Sequence, residues 1–371
     1  MRLLVAVPPG LEAITRGELE RIGAGAIDVA HGAVFCDADA TLAYRANLEL
    51  RSASRVLEVL FHAERDAPDV HAVFATLPWA ERLRADRDVV VHVQDAGVDN
   101  THAEREAAAL RRVAVEGARV VRKAATSDPY AITINVHRHR DRLTVAIDTS
   151  GSPLHRRGWR RSSTHKAPLK ENVAAALLLA LGVDGSLPFV DPCCGSGTAV
   201  IEATYIALDK APAIHRKKGE FAFEWLRGFD ARAWRGVQDA ARARRKPAPL
   251  HVARGFDLDE RALAEAAHDA EQARIGHQVK FAPGDLRAVD LGGPGHLFAN
   301  LPYGVRLEDH GRARALAQQF GDRLRSDWAS WHVGVLVPAT LLADLGGAPT
   351  RVLRVRNGAL ECAFAIFTPN R

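Results

Sequence analysis

Residues 189–198, Phe-Val-Asp-Pro-Cys-Cys-Gly-Ser-Gly-Thr, set an acid at the end of a short apolar run, two glycines in the stretch after it and a threonine where a helical pattern begins. Strand, tight turn and helix in that order constrain the fold more than any other stretch of the chain. It is the local pattern of the first βα turn in an open, doubly wound α/β sheet, whose ligands sit outside the strand ends at the switch point. The neighbouring text repeats the alternation. Helical patterns over 170–181, 198–208 and 260–276 alternate with strand patterns at 188–191, 251–257, 279–282 and 296–299, which predicts a parallel sheet. Further strands are expected at 331–337 and 352–367, the second interrupted by Arg356-Asn357-Gly358. Asn-Gly there reads as a hairpin turn.

The first 155 residues read differently. Strands at 3–7, 29–36 and 55–61 bracket helical patterns over 11–22 and 38–50, a small α+β unit. Beyond it the text predicts helices over 70–79 and 103–116 and strands at 88–94, 131–138 and 142–148. A basic run from His155 to Lys166, with Trp159 inside it, reads as a linker or docking strap between the two halves.

Composition excludes several classes. Of 371 residues, 47% are hydrophobic and 26% charged, which is globular and not disordered. The longest apolar run, 173–181, is nine residues, against roughly 20 for a membrane span. The N-terminal apolar run stops at Pro8-Pro9, too short for a secretory signal. Cys36, Cys193, Cys194 and Cys362 show no CxxC spacing, so no zinc site is expected. A cytoplasmic, monomeric protein with reduced thiols, no metal and no membrane contact is the expectation. The net charge of +5 permits a polyanionic partner without demanding one.

Successive strand ends carry the chemistry. Asp191 ends the first. Asp257, in Gly-Phe-Asp-Leu-Asp, ends the next and suits both hydroxyls of a ribose. Asp285 follows a third and can take the amino group of an adenine. The fourth ends in Asn300-Leu301-Pro302-Tyr303. There an amide oxygen and a backbone carbonyl can accept from an exocyclic amine, and an aromatic ring can stack on the base bearing it. Any one of these alone is also an ordinary turn; their order along successive strands selects a ligand site.

The motifs DPCCGSGT, GFDLD, GD and NLPYG resemble those of class I S-adenosylmethionine-dependent amino-group methyltransferases. VPPGLEAITRGEL, YRANLELRSASRVL, DTSGSPLHRRGWR, APLKENVAAALL and NGALECAFAIF are similar to the bacterial THUMP-domain RNA guanine-N2 methyltransferases, notably the family that makes N2-methylguanosine in large-subunit (23S) rRNA. The resemblance spans nearly the whole chain. It implies an N-terminal ferredoxin-like segment (1–62), a THUMP RNA-binding domain (63–154), a basic linker (155–168) and a Rossmann-like methyltransferase domain (169–371) whose mixed sheet has an antiparallel last strand.

It also implies S-adenosylmethionine as cofactor, held by Pro168, Lys170, Asp191, Pro192, Cys193, Gly195, Ser196, Gly197, Thr198, Asp257, Leu258, Asp285, Leu286 and Asn300. The catalytic set it implies is Asn300, Leu301, Pro302 and Tyr303. The RNA, rRNA ahead of tRNA, would meet Arg156, Arg157, Trp159, Arg160, Arg161 and Lys166. The basic clusters 215–218 and 242–246 are further candidates for phosphate contact. Cys193 and Cys194 read as small packing residues, because a thiol nucleophile is needed only for carbon methylation. One departure from the family pattern is Leu301, where a proline is usual. The backbone carbonyl is retained and only proline's locked φ is lost. A tRNA guanine-N2 methyltransferase and a catalytically silent RNA-binding scaffold are the alternatives. DNA adenine or protein glutamine methylation shares the Asn-x-Pro-Tyr device but is disfavoured by the N-terminal half.

Overall fold

The computed structural model describes residues 1–96, 119–121, 131–139, 141–160, 169–302, 307–358 and 360–369. The helix expected over 103–116 lies outside the described residues. The first unit runs β1 (Arg2–Ala6), α1 (Glu12–Arg21), β2 (Gly25–Ala30), β3 (Ala33–Asp37), α2 (Ala40–Glu49) and β4 (Arg55–Ala63). In place of the single strand expected over 29–36, the chain turns back at Gly32 and forms the antiparallel β2–β3 hairpin. Gly32 sits at φ +72°, a backbone state that glycine enters without steric cost. Asp39 caps α2, its carboxylate accepting the Leu42 N–H at 2.6 Å.

Next come α3 (Val70–Thr76), α4 (Trp79–Arg82), β5 (Asp88–Ala96), β6 (Arg119–Val121), β7 (Ile132–His139) and β8 (Arg142–Asp148). The one helix expected over 70–79 is two, parted at Leu77-Pro78, because the residue before a proline is pushed out of the helical region. All eight strands join one sheet in the order β2-β3-β1-β4-β8-β7-β5-β6. Antiparallel pairing of β4 with β8 carries it unbroken past residue 62. Ile132, Ile134 and Val136 alternate into the core, as a strand with one buried face requires.

The second half supplies α5 (Glu171–Leu181), β9 (Phe189–Asp191), α6 (Thr198–Ala207), α7 (Ala231–Arg244), β10 (Ala253–Asp257), α8 (Glu260–Gln272), β11 (Val279–Pro283), β12 (His296–Asn300), α9 (Leu307–Arg325), β13 (His332–Pro338), β14 (Arg351–Asn357) and β15 (Leu360–Phe367). Its sheet order is β11-β10-β9-β12-β13-β15-β14. The first five strands are parallel, and β15 runs antiparallel to both β13 and β14. The chain thus builds outward from β9 in both directions. That makes the carboxyl end of β9 the switch point, the place where such sheets bind ligands. Among the described residues no helix is long and apolar enough to cross a membrane.

The basic run between the halves is packed into the molecule as far as residue 160. Arg157 is 1% exposed; its Nε donates to Glu202 Oε1 at 3.1 Å, its Nη1 to the Leu154 carbonyl at 3.0 Å and its Nη2 to the Arg51 carbonyl at 2.6 Å. Trp159 is equally buried. Arg160 donates to Asp269 at 2.8 Å, Glu171 at 3.0 Å, the Ser196 carbonyl at 3.3 Å and Thr198 Oγ1 at 3.1 Å. The burial of Arg157 and Trp159 and the carboxylate pairing of Arg157 and Arg160 run against the expectation that these three meet RNA, since a guanidinium already paired with carboxylates has little left to offer a phosphate. Arg157 instead ties the strap to both halves, through the Arg51 carbonyl and Glu202, and Arg160 ties it to the second half. Arg156 stays exposed, and Arg161 and Lys166 lie outside the described residues. Arg157→Ala would leave Glu202, itself fully buried, without its partner, a change that costs about 3–5 kcal/mol. A urea denaturation curve reads this directly, and an unmoved midpoint would contradict the role.

Candidate functional site

At the end of β9 the chain turns through residues 192–197 into α6. Gly197, at φ +76°, forms the N-cap of that helix. A Cβ there would lie 2.8 Å from Ala266 Cβ and 2.9 Å from Phe281 Cζ, so both conformation and space demand glycine. The loop walls one side of a cleft of about 370 Å³, within the range of small-molecule sites, roughly 300–1,000 Å³. Asp191, Pro192, Cys193, Gly195, Ser196 and Thr198 line it from the loop side. Asp257 and Leu258 enter from β10, Asp285 and Leu286 from the turn after β11, and Asn300 and Pro302 from β12. Residues named from separate motifs therefore share one cavity.

Three named residues do not line it. Gly197 lies behind the loop, the Leu301 side chain is buried in the core at 3% exposure, and Lys170 stands exposed at the start of α5. Pro168 and Tyr303 lie outside the described residues. The cleft also holds residues that the sequence motifs did not single out, among them Leu169, Arg287, Phe298 and Leu316. Leu169 adjoins the recognised Lys170, and Arg287 falls two positions after Asp285; the remaining pair carries no local signal.

The carboxylates of the cleft are differently held. Asp191 is buried and accepts the Cys193 N–H at 3.0 Å. Burial away from water, with the negative charge of Asp257 adding to it, pushes its carboxyl up to about 8. Asp257 accepts the Gly195 N–H at 2.8 Å through one oxygen and the Asp259 N–H at 3.0 Å through the other, tying β10 to the glycine loop. Asp285 accepts the Arg287 backbone N–H at 2.9 Å and its Nε at 2.8 Å, with a further contact from Nη2. Those hydrogen bonds hold the Asp285 carboxyl below the usual carboxylate range.

Asn300 closes the floor. Its Oδ1 is buried and has no hydrogen-bond partner among the described residues, whereas an unsatisfied buried acceptor costs about 1–3 kcal/mol. An acceptor left in that state inside a cleft is ready for an incoming N–H. The Cys193 thiol donates to the Asn300 carbonyl at 3.7 Å, and the Leu301 N–H donates to the Leu336 carbonyl at 3.1 Å, fixing the strand end. Burial raises both Cys193 and Cys194 well above the ordinary thiol value, so neither is a thiolate nucleophile at neutral pH.

A mixed seven-stranded sheet built outward from its central strand, with acids and an amide at successive strand ends around one cleft, defines the class I methyltransferases. The model of the RMKL-like methyltransferase domain matches residues 157–366, and that of the RlmL ferredoxin-like domain matches residues 2–57. Solved structures agree over the whole length. SMU.472, provisionally called a methyltransferase and crystallised with SAH, is 25% identical with a TM-score of 0.85, covering 100% of this chain and 98% of its own. A predicted N6-adenine-specific DNA methylase from Listeria monocytogenes is 26% identical with a TM-score of 0.84, covering 99% and 96%. TrmN from Thermus thermophilus, 19% identical with a TM-score of 0.70 over 99% of both chains, shares the fold.

The chain belongs to the RMKL-like methyltransferases, and S-adenosylmethionine is its methyl donor. The cleft suits that donor. A Cβ added at Gly195 meets nothing within 4 Å, so open space lies against the loop, and the acids at 191, 257 and 285 supply the acceptors around it.

Proposed function

We propose that this chain methylates the exocyclic N2 amine of a guanosine in RNA, with 23S rRNA as its substrate. The observation that carries the reading is the buried, unpartnered Oδ1 of Asn300 in the cleft, on a strand paired directly with β9. Bound S-adenosylmethionine supplies an electrophilic methyl on a sulfonium. The protein's task is then one of placement. The lone pair of guanine N2 is delocalised into the ring, and two acceptors that hold its N–H groups would turn that lone pair toward the methyl. Asn300 Oδ1 is one and the Leu301 carbonyl the other, so orientation supplies the rate and no strong base is needed. Pro302 stiffens the turn after them, and Tyr303 is assigned the stacking role.

On the donor side, Asp257 is assigned the ribose hydroxyls and Asp285 the adenine amine. Leu258, 68% exposed at the mouth, would cover the nucleoside. Pro192, Cys193, Gly195, Ser196 and Thr198 shape the wall around it, while Leu286 packs beneath and Asp191 accepts from the donor's amino-acid end. RNA is favoured over DNA by the RlmL ferredoxin-like match at residues 2–57, together with the reading of 63–154 as a THUMP domain. A guanine stacked in a duplex cannot reach such a cleft, so the target is single-stranded or flipped out.

Inosine lacks the 2-amino group and otherwise matches guanosine, which gives the reading a direct test. A 23S transcript made with inosine in place of guanosine should accept no methyl, while its guanosine counterpart does. Methylation of both transcripts would move the reaction to another nitrogen. Methylation of adenine in DNA, in parallel reactions, would replace the substrate class outright.

A further inference from the structure

We propose that the exposed side chains of Arg156, Lys170, Lys217 and Lys218 form one ridge beside the cleft that grips the phosphate backbone of RNA. The proposal rests on the reading of this chain as an RNA methyltransferase. Arg157 and Arg160 are committed to carboxylates inside the molecule. Arg216 is buried and spends its guanidinium on the carbonyls of Ser150, Ser152, Pro153 and Arg156. In the 242–246 cluster, Arg242 pairs with Asp239 and Arg244 with Asp209 and Glu49. Lys246, at the end of that cluster, stays exposed, so the cluster keeps part of its charge.

The exposed cations of the 155–160 and 215–218 runs meet at one seam. Gly158 approaches the 215–218 turn so closely that a Cβ would lie 2.8 Å from the His215 carbonyl carbon and 3.0 Å from the Arg216 nitrogen. Arg156, two residues before that contact, and Lys217, one residue after Arg216, consequently flank the same seam. Both are exposed, as is Lys218, and no ion pair joins any of the three to a described residue. Lys170 is exposed next to Leu169 of the cleft wall.

His155 samples the field between them. Its imidazole is pushed down to about 4, by burial first and then by Lys170, Arg157, Arg156 and Arg216. All four charged neighbours are cations. The nearest exposed acid on the turn is Glu220, which accepts the Lys217 backbone N–H. A surface with several unneutralised cations leading to the edge of the cleft suits a chain of phosphates, and each phosphate contact releases condensed counterions.

The test uses the full chain and unmodified 23S rRNA transcript, with binding measured across a range of salt concentrations. The triple variant Arg156→Ala, Lys217→Ala, Lys218→Ala should bind RNA at least about tenfold more weakly at low salt. Its slope of log affinity against log salt should be shallower by about one for each phosphate no longer held. Its affinity for SAH and its melting temperature should match wild type. Should the triple variant melt early, the double variant Lys217→Ala, Lys218→Ala, confined to an exposed turn, carries the same expectation with a proportionately smaller change in slope. Wild-type affinity and slope in these variants overturn the ridge while leaving the RNA reading intact. A wild type without affinity for RNA overturns both.

Discussion

Asn300→Ala is expected to stop methyl transfer while sparing donor binding, with kcat falling by a factor of about 10²–10³. That is the scale lost when one fixed hydrogen-bonding group is taken from a reacting centre. Donor binding, read as the SAH dissociation constant, should change by no more than a few fold. The fold should survive, because the substitution deletes a buried acceptor that has no partner among the described residues. The Cys193 thiol and the β12–β13 ladder hold the backbone of Asn300, and neither depends on its side chain. A variant that turns over normally, or one that fails because it no longer binds SAH, would remove Asn300 from the amine and return it to the donor.

Asp257→Ala should do the opposite. It takes away the acceptor of the Gly195 and Asp259 N–H groups and, in the proposed function, the acceptor of the ribose hydroxyls. Hydrogen bonds to a charged group contribute about 1.5–3 kcal/mol each. Losing two on the donor side amounts to about 3 kcal/mol or more, so the SAH dissociation constant should rise at least about 100-fold. Turnover at saturating S-adenosylmethionine should fall far less. Calorimetric titration of SAH checks the first number, and an unchanged constant would show that β10 contributes no ribose acceptor.

These two residues belong to what local sequence can carry. An acid or amide at a strand end, followed by glycine or proline, keeps its meaning within ten residues, and the sheet that aligns four such ends follows from the alternation of strands and helices. The misread parts depend on partners far away in the chain. Arg157 and Arg160 look in sequence like free cations. Their carboxylates are Glu202, 45 residues after Arg157, and Glu171 and Asp269, 11 and 109 residues after Arg160, and nothing in the basic run marks them. The helix α9 escapes a sequence reading for a different reason. Its buried stripe is Ala313, Ala317, Phe320 and Leu324, helically spaced, but two of the four are alanines set among charged residues, and the amphipathic signal is faint. The β2 strand escapes it at the sheet edge, where almost every residue is exposed and no inward alternation is imposed. The Asp285–Arg287 pair is legible as an acid alone, without the arginine that holds it.

The identity of the methylated nucleoside tests the proposed activity most directly. Purified protein, labelled S-adenosylmethionine and unmodified 23S rRNA, tRNA and DNA should be incubated separately, and the products digested to nucleosides for mass spectrometry. The prediction is N2-methylguanosine in the 23S rRNA reaction. A methylated adenine, or no product from any nucleic acid while SAH still binds, would contradict it.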